Sequence, residues 1–468
     1  MTRQLIGFML VLVATAQTAD LTPRPWDGYR GIWYMNQPTG DAHRYKYSGG
    51  FGTYPQWHLP MAIYAEAVHK TFFVIGGSNG NVSERDDQLV HLVGYFDHGT
   101  REVSRPVRLL NKQTEDAHDN PVLSIDADGH LWVFSAAHGR ARPAYIHRST
   151  RPHDITSWNL VSATNFSYPQ PWFLRGRGEF LFLHTLYRGN QRSLHQSRSR
   201  DGRSWSEPEL LAHIDMGDYQ ISWPHGDRVA TVFDMHPSKG RAGTGLNYRS
   251  NIYYLETTDA GRTWSNVRGE RVTPPVTAIK NPALVLDSVS GDRSIYLKDL
   301  AFDADGRPII LYLMSRGFMP GPASGPFTWH TGRWTGTAWE HRRLAESDHN
   351  YDHGSLYVEA DGTWRVIAPM APGPQPSGTG GEMVMWTSRS KGEAWSRANA
   401  LTSGSARNHS YARKPLDAHP DFYAIWADGN PLEPSPSRIY FSTRDGDVFV
   451  LPERMDGATA RPVRVGTH

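Results

Sequence analysis

The chain of 468 residues contains no cysteine. This absence excludes a disulfide framework, and it also removes the cysteine that a bacterial lipid anchor would require. Beyond the N-terminus there is no apolar run long enough to cross a bilayer, so we expect no membrane span. The 49 basic and 47 acidic residues leave a net charge of +2, whereas nucleic-acid binding normally needs a concentrated basic surface. We therefore expect no nucleic-acid partner.

The first nineteen residues have the layout of a secretory signal peptide. Arg3 precedes an apolar run from Leu5 to Ala14, and small residues follow at Ala16 and Ala19. We predict that residues 1–19 are a signal peptide and that the mature protein is secreted or periplasmic. The alternative is a buried N-terminal strand or helix.

The rest of the chain lacks the period of amphipathic helices and is instead rich in short alternating β segments. Asp-Gly turns of the kind that begin at Asp126, Asp303 and Glu359 join many of them in pairs. Seven such pairs recur along the chain, which is typical of a β-propeller. We predict an all-β, seven-bladed β-propeller that spans residues 20–468 as a single domain and is a monomer. The pairs open at His58, His118, Tyr168, Tyr219, Asp299, His353 and Tyr411.

A second group of turns lies farther along in the repeats. Residues 199–205, 257–264 and 388–395 resemble the Asp-box turns of sialidase-type propellers. In such a turn the Asp side chain binds the backbone of the turn itself and the Trp packs between sheets, so we predict a structural role for these residues.

The first strand of each pair begins, and the second ends, on one face of the propeller, where we expect the function. His118 and His138 bracket one pair, and imidazoles exchange protons near neutral pH. Tyr187 and Arg188 close the next pair, with Arg192 close behind; Arg can hold a carboxylate through two hydrogen bonds. We predict that His118, His138 and Tyr187 are catalytic. The predicted substrate-binding residues on the same face are Arg188, Arg192, Tyr168, Tyr219, Arg316, His353, His409 and Arg413.

These residue types favour β-elimination on a uronate sugar, which needs a neutralised carboxylate, a base for the adjacent C–H and an acid for the leaving oxygen. Hydrolysis usually requires two carboxyl groups; Asp119, Asp234, Asp299, Asp352 and Asp428 are the candidates. We expect no cofactor. A structural metal ion held by His236, His353 and His409 is an alternative, but no short ligand spacing supports it.

Several segments resemble a family of bacterial BNR-repeat proteins from carbohydrate-degrading loci, a resemblance that spans nearly the whole mature chain. They are residues 28–34 (GYRGIWY), 46–56 (KYSGGFGTYPQ), 117–121 (AHDNP), 347–352 (SDHNYD), 380–387 (GGEMVMWT) and 408–413 (NHSYAR). The family includes ulvan lyases, rhamnosyl-glucuronate lyases and related α-L-rhamnosidases. The resemblance implies a seven-bladed propeller and an anionic polysaccharide or oligosaccharide substrate.

The resemblance to ulvan lyases also implies two His about twenty residues apart, a Tyr and an Arg. His118 and His138 match the pair, and Tyr187 matches with Arg188 or Arg192; Tyr168 and Tyr219 are alternatives for the Tyr. We therefore expect a secreted lyase that cleaves a glycan containing rhamnose and uronate. One alternative is an α-L-rhamnosidase, for whose single His the nearest candidates are His43 and His58. Another is a propeller that binds glycans without cleaving them.

Overall fold

The computed structural model describes residues 19–52, 54–189, 191–238, 248–317, 319 and 321–466. Residues 1–18 of the expected signal peptide lie outside these ranges. The described residues form short antiparallel strands, and their 3₁₀ helices are Tyr54–Trp57, Glu66–Val68, Ala117–Asp119 and Pro322–Ser324. No helix within these ranges combines the length and the apolarity needed to cross a membrane. The fold is therefore all-β, as the sequence predicts.

The first sheet gathers strands from both ends of the chain. The first eight strands are β1 (Arg24–Pro25), β2 (Trp33–Tyr34), β3 (Gly49–Gly50), β4 (Ala62–Ala65), β5 (Lys70–Gly77), β6 (Val90–Asp97), β7 (Glu102–Ser104) and β8 (Val107–Asn111). Within the sheet the strands pair in the order β4, β5, β6, β8 and β1. β7 pairs with β6 and with the C-terminal strand Thr459–Ala460, while β2 and β3 form a small sheet of their own.

The next three sheets follow in chain order, and their strands pair with their sequence neighbours, except that the last strand of the fourth sheet pairs back with the third strand of that sheet. The second sheet is β9 (Pro121–Ile125), β10 (Leu131–Ser135), β11 (Ala144–Ser149) and β12 (Trp158–Thr164). The third is β13 (Ser167–Leu174), β14 (Glu179–Arg188), β15 (Gln191–Ser199) and β16 (Glu209–Ala212). The fourth is β17 (Gln220–His225), β18 (Arg228–Met235), β19 (Ser250–Thr257), β20 (Trp264–Ser265), β21 (Arg271–Val272) and β22 (Leu284–Leu286).

Three further sheets complete the described chain. The fifth is β23 (Ser294–Phe302), β24 (Pro308–Ser315), β25 (Phe327–Trp334) and β26 (Trp339–Ser347). The sixth is β27 (Ser355–Val358), β28 (Trp364–Ala371), β29 (Glu382–Ser388) and β30 (Ser396–Ala400). The seventh is β31 (Asn408–Arg413), β32 (Ala424–Gly429), β33 (Ile439–Ser442), β34 (Val448–Val450) and β36 (Val463–Arg464), and β35 (Thr459–Ala460) crosses to the first sheet. The architecture is a β-propeller.

The Asp side chains of the predicted turns bind the backbone of their own turns. In the β9–β10 turn, Asp126 Oδ1 accepts hydrogen bonds from the N–H groups of Asp128 at 3.1 Å and His130 at 2.9 Å, and Gly129 supplies a φ of +84°. In the Asp-box turn after β15, Asp201 accepts the N–H groups of Arg203 and Ser204 at 2.8 and 2.7 Å. The carboxylates of these turns are thus used by the backbone, which supports their structural role.

Neighbouring sheets are joined by apolar side chains and by a few buried polar bonds. Between the third and fourth sheets, Trp172 Nε1 donates to Ser222 Oγ at 2.7 Å. Between the last and first sheets, Leu416 N–H donates to Ala62 O at 2.8 Å, and Tyr64 N–H donates to Leu416 O at 3.0 Å. The first and last sheets are therefore in direct contact, and strand ends from successive sheets face each other around a common centre.

Candidate active site

A stack of three rings lies where β9 begins and β10 ends. The ring of His118 lies between those of Tyr54 and His138, at centroid distances of 3.6 and 3.7 Å and interplanar angles of 27° and 10°. His118 belongs to the 3₁₀ turn Ala117–Asp119 before β9, and His138 follows β10. The antiparallel pairing of β9 with β10 brings the two histidines together, as the sequence predicts.

Asp116 holds both imidazoles. Its Oδ1 accepts hydrogen bonds from the N–H and Nδ1 of His118, and its Oδ2 accepts one from His138 Nδ1 at 2.8 Å. Because a carboxylate only accepts, each ring carries its proton on Nδ1, and the Nε2 atom of a neutral ring has a free lone pair for a base. Asp116 thereby fixes the orientation and the tautomer of two potential proton acceptors.

A pair of cations balances the carboxylates behind this stack. Arg142 NH2 lies 2.9 Å from Asp116 Oδ2 and 2.9 Å from Asp119 Oδ1, and its Nε donates to Asp119 Oδ2 at 3.1 Å. Lys112 Nζ lies 3.2 Å from the same oxygen of Asp119. Asp119 is completely buried and fully engaged by these two cations. Neither carboxylate is therefore free to act as an acid.

The second part of the site is a group of phenols around Arg192. Tyr187 on β14 and Arg192 on β15 are directly opposite in the strand register. Arg192 Nε donates to Tyr187 Oη at 3.3 Å, and Tyr187 Oη lies 3.1 Å from Tyr168 Oη. The ring of Tyr187 meets that of His138 edge-on, with centroids 5.3 Å apart. We define Tyr54, Asp116, His118, His138, Tyr168, Tyr187 and Arg192 as the histidine–tyrosine site.

The site continues into the interior. Tyr168 Oη donates to Tyr219 Oη at 3.5 Å, and Arg192 NH1 donates to His236 Nδ1 at 3.3 Å. Tyr219 stacks on Trp57, with centroids 4.2 Å apart. Tyr168, Tyr219 and Arg192 all come together with the histidines, although at most 4% of each residue's surface is exposed.

Burial sets the protonation states. It lowers the pKa of His118 to about 4, although Asp116 acts in the opposite direction. Burial also opposes the ionisation of Asp116, but the charges and hydrogen bonds of His118 and His138 hold its pKa well below the ordinary value. The pKa of Tyr187 is raised by burial, which outweighs the effect of Arg192. At neutral pH His118 is thus a neutral base and Tyr187 a neutral phenol that can give up a proton.

Two of the expected binding residues lie outside this arrangement. Arg188 follows Tyr187 on β14, so its side chain points to the opposite side of the sheet, where it is exposed. Arg316 is exposed directly after β24. Side-chain alternation along β14 therefore turns Arg188 away from Tyr187. Arg192, which is opposite Tyr187 on β15, lies in the histidine–tyrosine site instead.

Three other expected binding residues lie in the interior and do not face solvent. Arg413 NH2 donates to Pro55 O at 2.6 Å, and His353 lies beside Trp57 with ring centroids 6.1 Å apart. Both contact the 3₁₀ helix Tyr54–Trp57, whose four residues are themselves buried. His409 has both ring nitrogens engaged, with Trp426 Nε1 and Ser405 Oγ each at 3.0 Å. The structure therefore does not bring these three predicted substrate-binding residues to a solvent-facing surface, and their role in binding stays a prediction.

Three residues of this region, Asp116, Tyr54 and Arg249, are not among those that the sequence predicts to be functional. Asp116 stands two positions before His118 and has the signature of a cap that folds back on a turn, which was the available signal. Tyr54 completes the ring stack, and the guanidinium of Arg249, a residue 1% exposed, lies against both Trp57 and Tyr219, 4.6 and 4.5 Å from their ring centroids. Their positions depend on contacts between distant segments, which no local pattern reveals.

The described residues give no support to a metal site made of His236, His353 and His409. His236 Nδ1 faces Arg192, and His353 Nδ1 lies 3.3 Å from Lys298 Nζ, so each ring has a cation beside it. Donor atoms of Asp116, His118 and His138 do lie within 4.8 Å of one another. Both Nδ1 atoms there already bind the carboxylate, however, which suits proton transfer better than ligation.

The chain is similar to several known proteins. Residues 99–347 match the model of a family described as BNR repeat-containing family member. The chain belongs to this family. An ulvan lyase of Alteromonas sp. (strain LOR) is 24% identical over 445 residues, which cover 83% of this chain and 85% of that protein. A PL25 ulvan lyase of Pseudoalteromonas sp. (strain PLSV) is 27% identical over 256 residues, 48% of this chain and 51% of that protein, so the match spans about half of the relative.

Solved structures show the same fold. A PL25 ulvan lyase structure superposes with a TM-score of 0.68 at 18% identity, over 90% of this chain and 97% of the other. A second structure of this kind, bound to -[GlcA(1-4)Rha3S]-, also gives a TM-score of 0.68, at 17% identity over 91% and 97% of the two chains. These matches establish the β-propeller fold of this member of the BNR repeat-containing family.

Proposed function

We propose that this protein is a polysaccharide lyase that cleaves ulvan, a glycan containing rhamnose and uronate, by β-elimination. The observation that carries the proposal is the shared Asp116 carboxylate, which holds two stacked imidazoles beside the Tyr187–Arg192 pair. The names of the relatives, which are ulvan lyases, support the same substrate class.

The chemistry assigns one task to each group. A neutral imidazole, His118 or His138, takes the proton from C5 of the uronate through Nε2, and the electron pair of the C5–H bond forms the C4–C5 double bond. The C4–O4 bond breaks, and the leaving oxygen accepts the phenolic proton of Tyr187. The products are a 4,5-unsaturated uronate at one new end and a free hydroxyl at the other.

Arg192 completes the proposal. Its guanidinium stays protonated at any working pH, and it already donates to Tyr187 Oη, so it stabilises the phenolate that forms when Tyr187 gives up its proton. Neutralisation of the substrate carboxylate is the second role proposed for Arg192. The exposed Arg188 serves neither role.

The two alternatives are less well supported. Hydrolysis requires one free carboxyl group as acid and another as base or nucleophile, but Asp116 and Asp119 are both tied to Arg142. A propeller that binds glycans without cleaving them would not need a carboxylate that orients two imidazoles.

We also propose that the seven sheets are seven blades of one ring, closed by the contact of Leu416 with Ala62 and Tyr64. Residues 1–19 are proposed to direct export, after which the mature chain acts as a monomer in the periplasm or outside the cell. The apolar run of that segment supports export.

The first experiment incubates purified residues 20–468 with ulvan and, separately, with rhamnose-capped arabinogalactan. Ultraviolet absorbance follows unsaturated uronate, and a parallel assay follows free rhamnose. Absorbance that rises with wild-type protein but not with Tyr187→Phe is the expected result. Release of rhamnose without absorbance would replace the proposal with a hydrolase, and binding with no change in chain length would replace it with a binding protein.

A further inference from the structure

A second histidine cluster lies at the other ends of the strands from the histidine–tyrosine site. His69 lies between β4 and β5, His98 directly follows β6, and His419 and Asp421 belong to the turn between β31 and β32. We call His69, His98, His419 and Asp421 the closure cluster, because it joins the first sheet to the last. The proposed lyase chemistry uses none of these residues.

The rings of the closure cluster are close together. The centroids of His98 and His419 are 3.9 Å apart, and His69 lies 5.2 and 5.3 Å from them. One donor atom each of His98, His419 and Asp421 lies within 4.8 Å of the other two. Two imidazoles and a carboxylate are the donor set that zinc and similar divalent transition metals take in proteins.

His98 carries the decisive atom. Its Nε2 lies 2.8 Å from Thr71 Oγ1, whereas its Nδ1 is buried and has no hydrogen-bond partner among the described residues. The residue is 6% exposed. A buried ring nitrogen without a partner is unfavourable, and a bound metal ion would satisfy it. The bond to Thr71 orients the ring in the way that second partners orient metal-ligating histidines.

The other ligands are freer to adjust. His419 and Asp421 are half-buried, and His419 Nδ1 accepts only a 3.2 Å hydrogen bond from Asp421 N–H. The donor atoms lie within 4.8 Å of one another, and metal bonds of about 2.0–2.2 Å require them to be closer than that distance. Rotation of these two partly exposed side chains would supply that movement. Arg101 NH1 lies 3.8 Å from Asp421 Oδ2 and is the cation that a metal would displace.

We infer that His98, His419 and Asp421 form a binding site for a divalent transition metal such as Zn²⁺, which links the last sheet of the propeller to the first. His69, whose Nδ1 lies 2.8 Å from Tyr64 Oη, stands beside the site. Three protein ligands leave a fourth position for water or for His69. The role is structural, because the site lies at the opposite ends of the strands from the histidine–tyrosine site.

The test uses wild-type residues 20–468, freed of metal with a chelator and then titrated with ZnCl₂. Calorimetry gives the stoichiometry, and thermal melting gives the stability. His419→Ala and Asp421→Asn each alter one ligand, and His138→Ala is the matched control that disrupts the other cluster with metal-binding potential. We expect one Zn²⁺ ion to raise the Tm of the wild type and of His138→Ala by a few degrees, but not that of His419→Ala.

Co²⁺ provides a spectroscopic control, because a four-coordinate site gives it strong visible absorption. That absorption should appear with the wild type and be lost in Asp421→Asn. The inference is overturned if the wild type binds no Zn²⁺, if the rise in Tm persists in both His419→Ala and Asp421→Asn, or if only His138→Ala loses it. None of these outcomes depends on lyase activity, so the site is tested separately from the proposed function.

Discussion

At the scale of single residues, side-chain alternation along β14 and the register of β14 with β15 separate two arginines that look equivalent in the sequence. Arg192 is buried and binds Tyr187, whereas Arg188 is exposed on the other side of the sheet. We predict that Arg192→Ala lowers kcat/KM on ulvan by roughly 100-fold or more, because it removes the cation beside the developing phenolate. Arg188→Ala should change it by no more than about 3-fold.

Initial rates of absorbance change measure both variants, and thermal melting checks that each is folded. Arg192→Lys keeps a charge but not the planar fork, so it should recover only part of the loss. Equal losses in Arg188→Ala and Arg192→Ala would contradict the assignment.

Asp116 is the residue on which the geometry of both imidazoles depends. Asp116→Asn keeps the size of the side chain but replaces one accepting oxygen with an N–H donor, which cannot pair with a protonated Nδ1. We predict that kcat falls by roughly 100-fold to 10,000-fold while the Tm changes little. Nitrogen NMR of the histidines should show the Nδ1–H tautomer of His118 and His138 in the wild type and a mixture in the variant. An unchanged tautomer with full activity would refute the role.

At the scale of strands and turns, local sequence predicts most of the molecule. Alternating apolar residues and Asp-Gly turns predict hairpins because their physics is local, and β9–β10 with its Asp126 turn forms as expected. The same hairpin geometry explains why His118 and His138 could be paired from sequence. The position of Tyr54–Trp57 could not be predicted, since it depends on contacts such as Arg413 NH2 with Pro55 O, across most of the chain. That 3₁₀ helix contacts two of the expected site residues, Arg413 and His353, in the interior.

The Asp-box turns allow a matched test of local stability. Asp259 accepts hydrogen bonds from Thr263 N–H at 2.8 Å and Thr263 Oγ1 at 2.7 Å, whereas the equivalent Ser390 accepts one from Ala394 N–H at 2.9 Å. We predict that Asp259→Ala costs about 1–2 kcal/mol of unfolding free energy with kcat unchanged. Ser390→Asp should stabilise the protein slightly. Denaturant unfolding measures both, and a loss of kcat in Asp259→Ala would contradict a purely structural role.

At the scale of the whole molecule, the meeting of the sheets around a common centre buries many titratable side chains. Histidines from several parts of the chain are held neutral: burial lowers the pKa of His58, His184 and His349 to about 3, and that of His118 to about 4. In the unfolded chain each would have a pKa of about 6.5. The folded protein therefore binds fewer protons than the unfolded chain in mildly acidic solution.

This difference predicts how stability depends on pH. Above about pH 6.5 these histidines are neutral in both the folded and the unfolded state, and their contribution to the unfolding free energy is fully present. Below about pH 6.5 they take up protons in the unfolded chain but not in the folded protein. The unfolding free energy therefore falls as the pH drops towards about 4. Each such group adds up to about 1.4 kcal/mol per pH unit to the slope. Thermal melting from pH 7.5 to 4.5 should show the decline. His184→Gln removes one of these groups, so its unfolding free energy should decline less steeply with falling pH, by the contribution of one proton. A Tm independent of pH down to 5 would show that these histidines titrate normally in the folded protein.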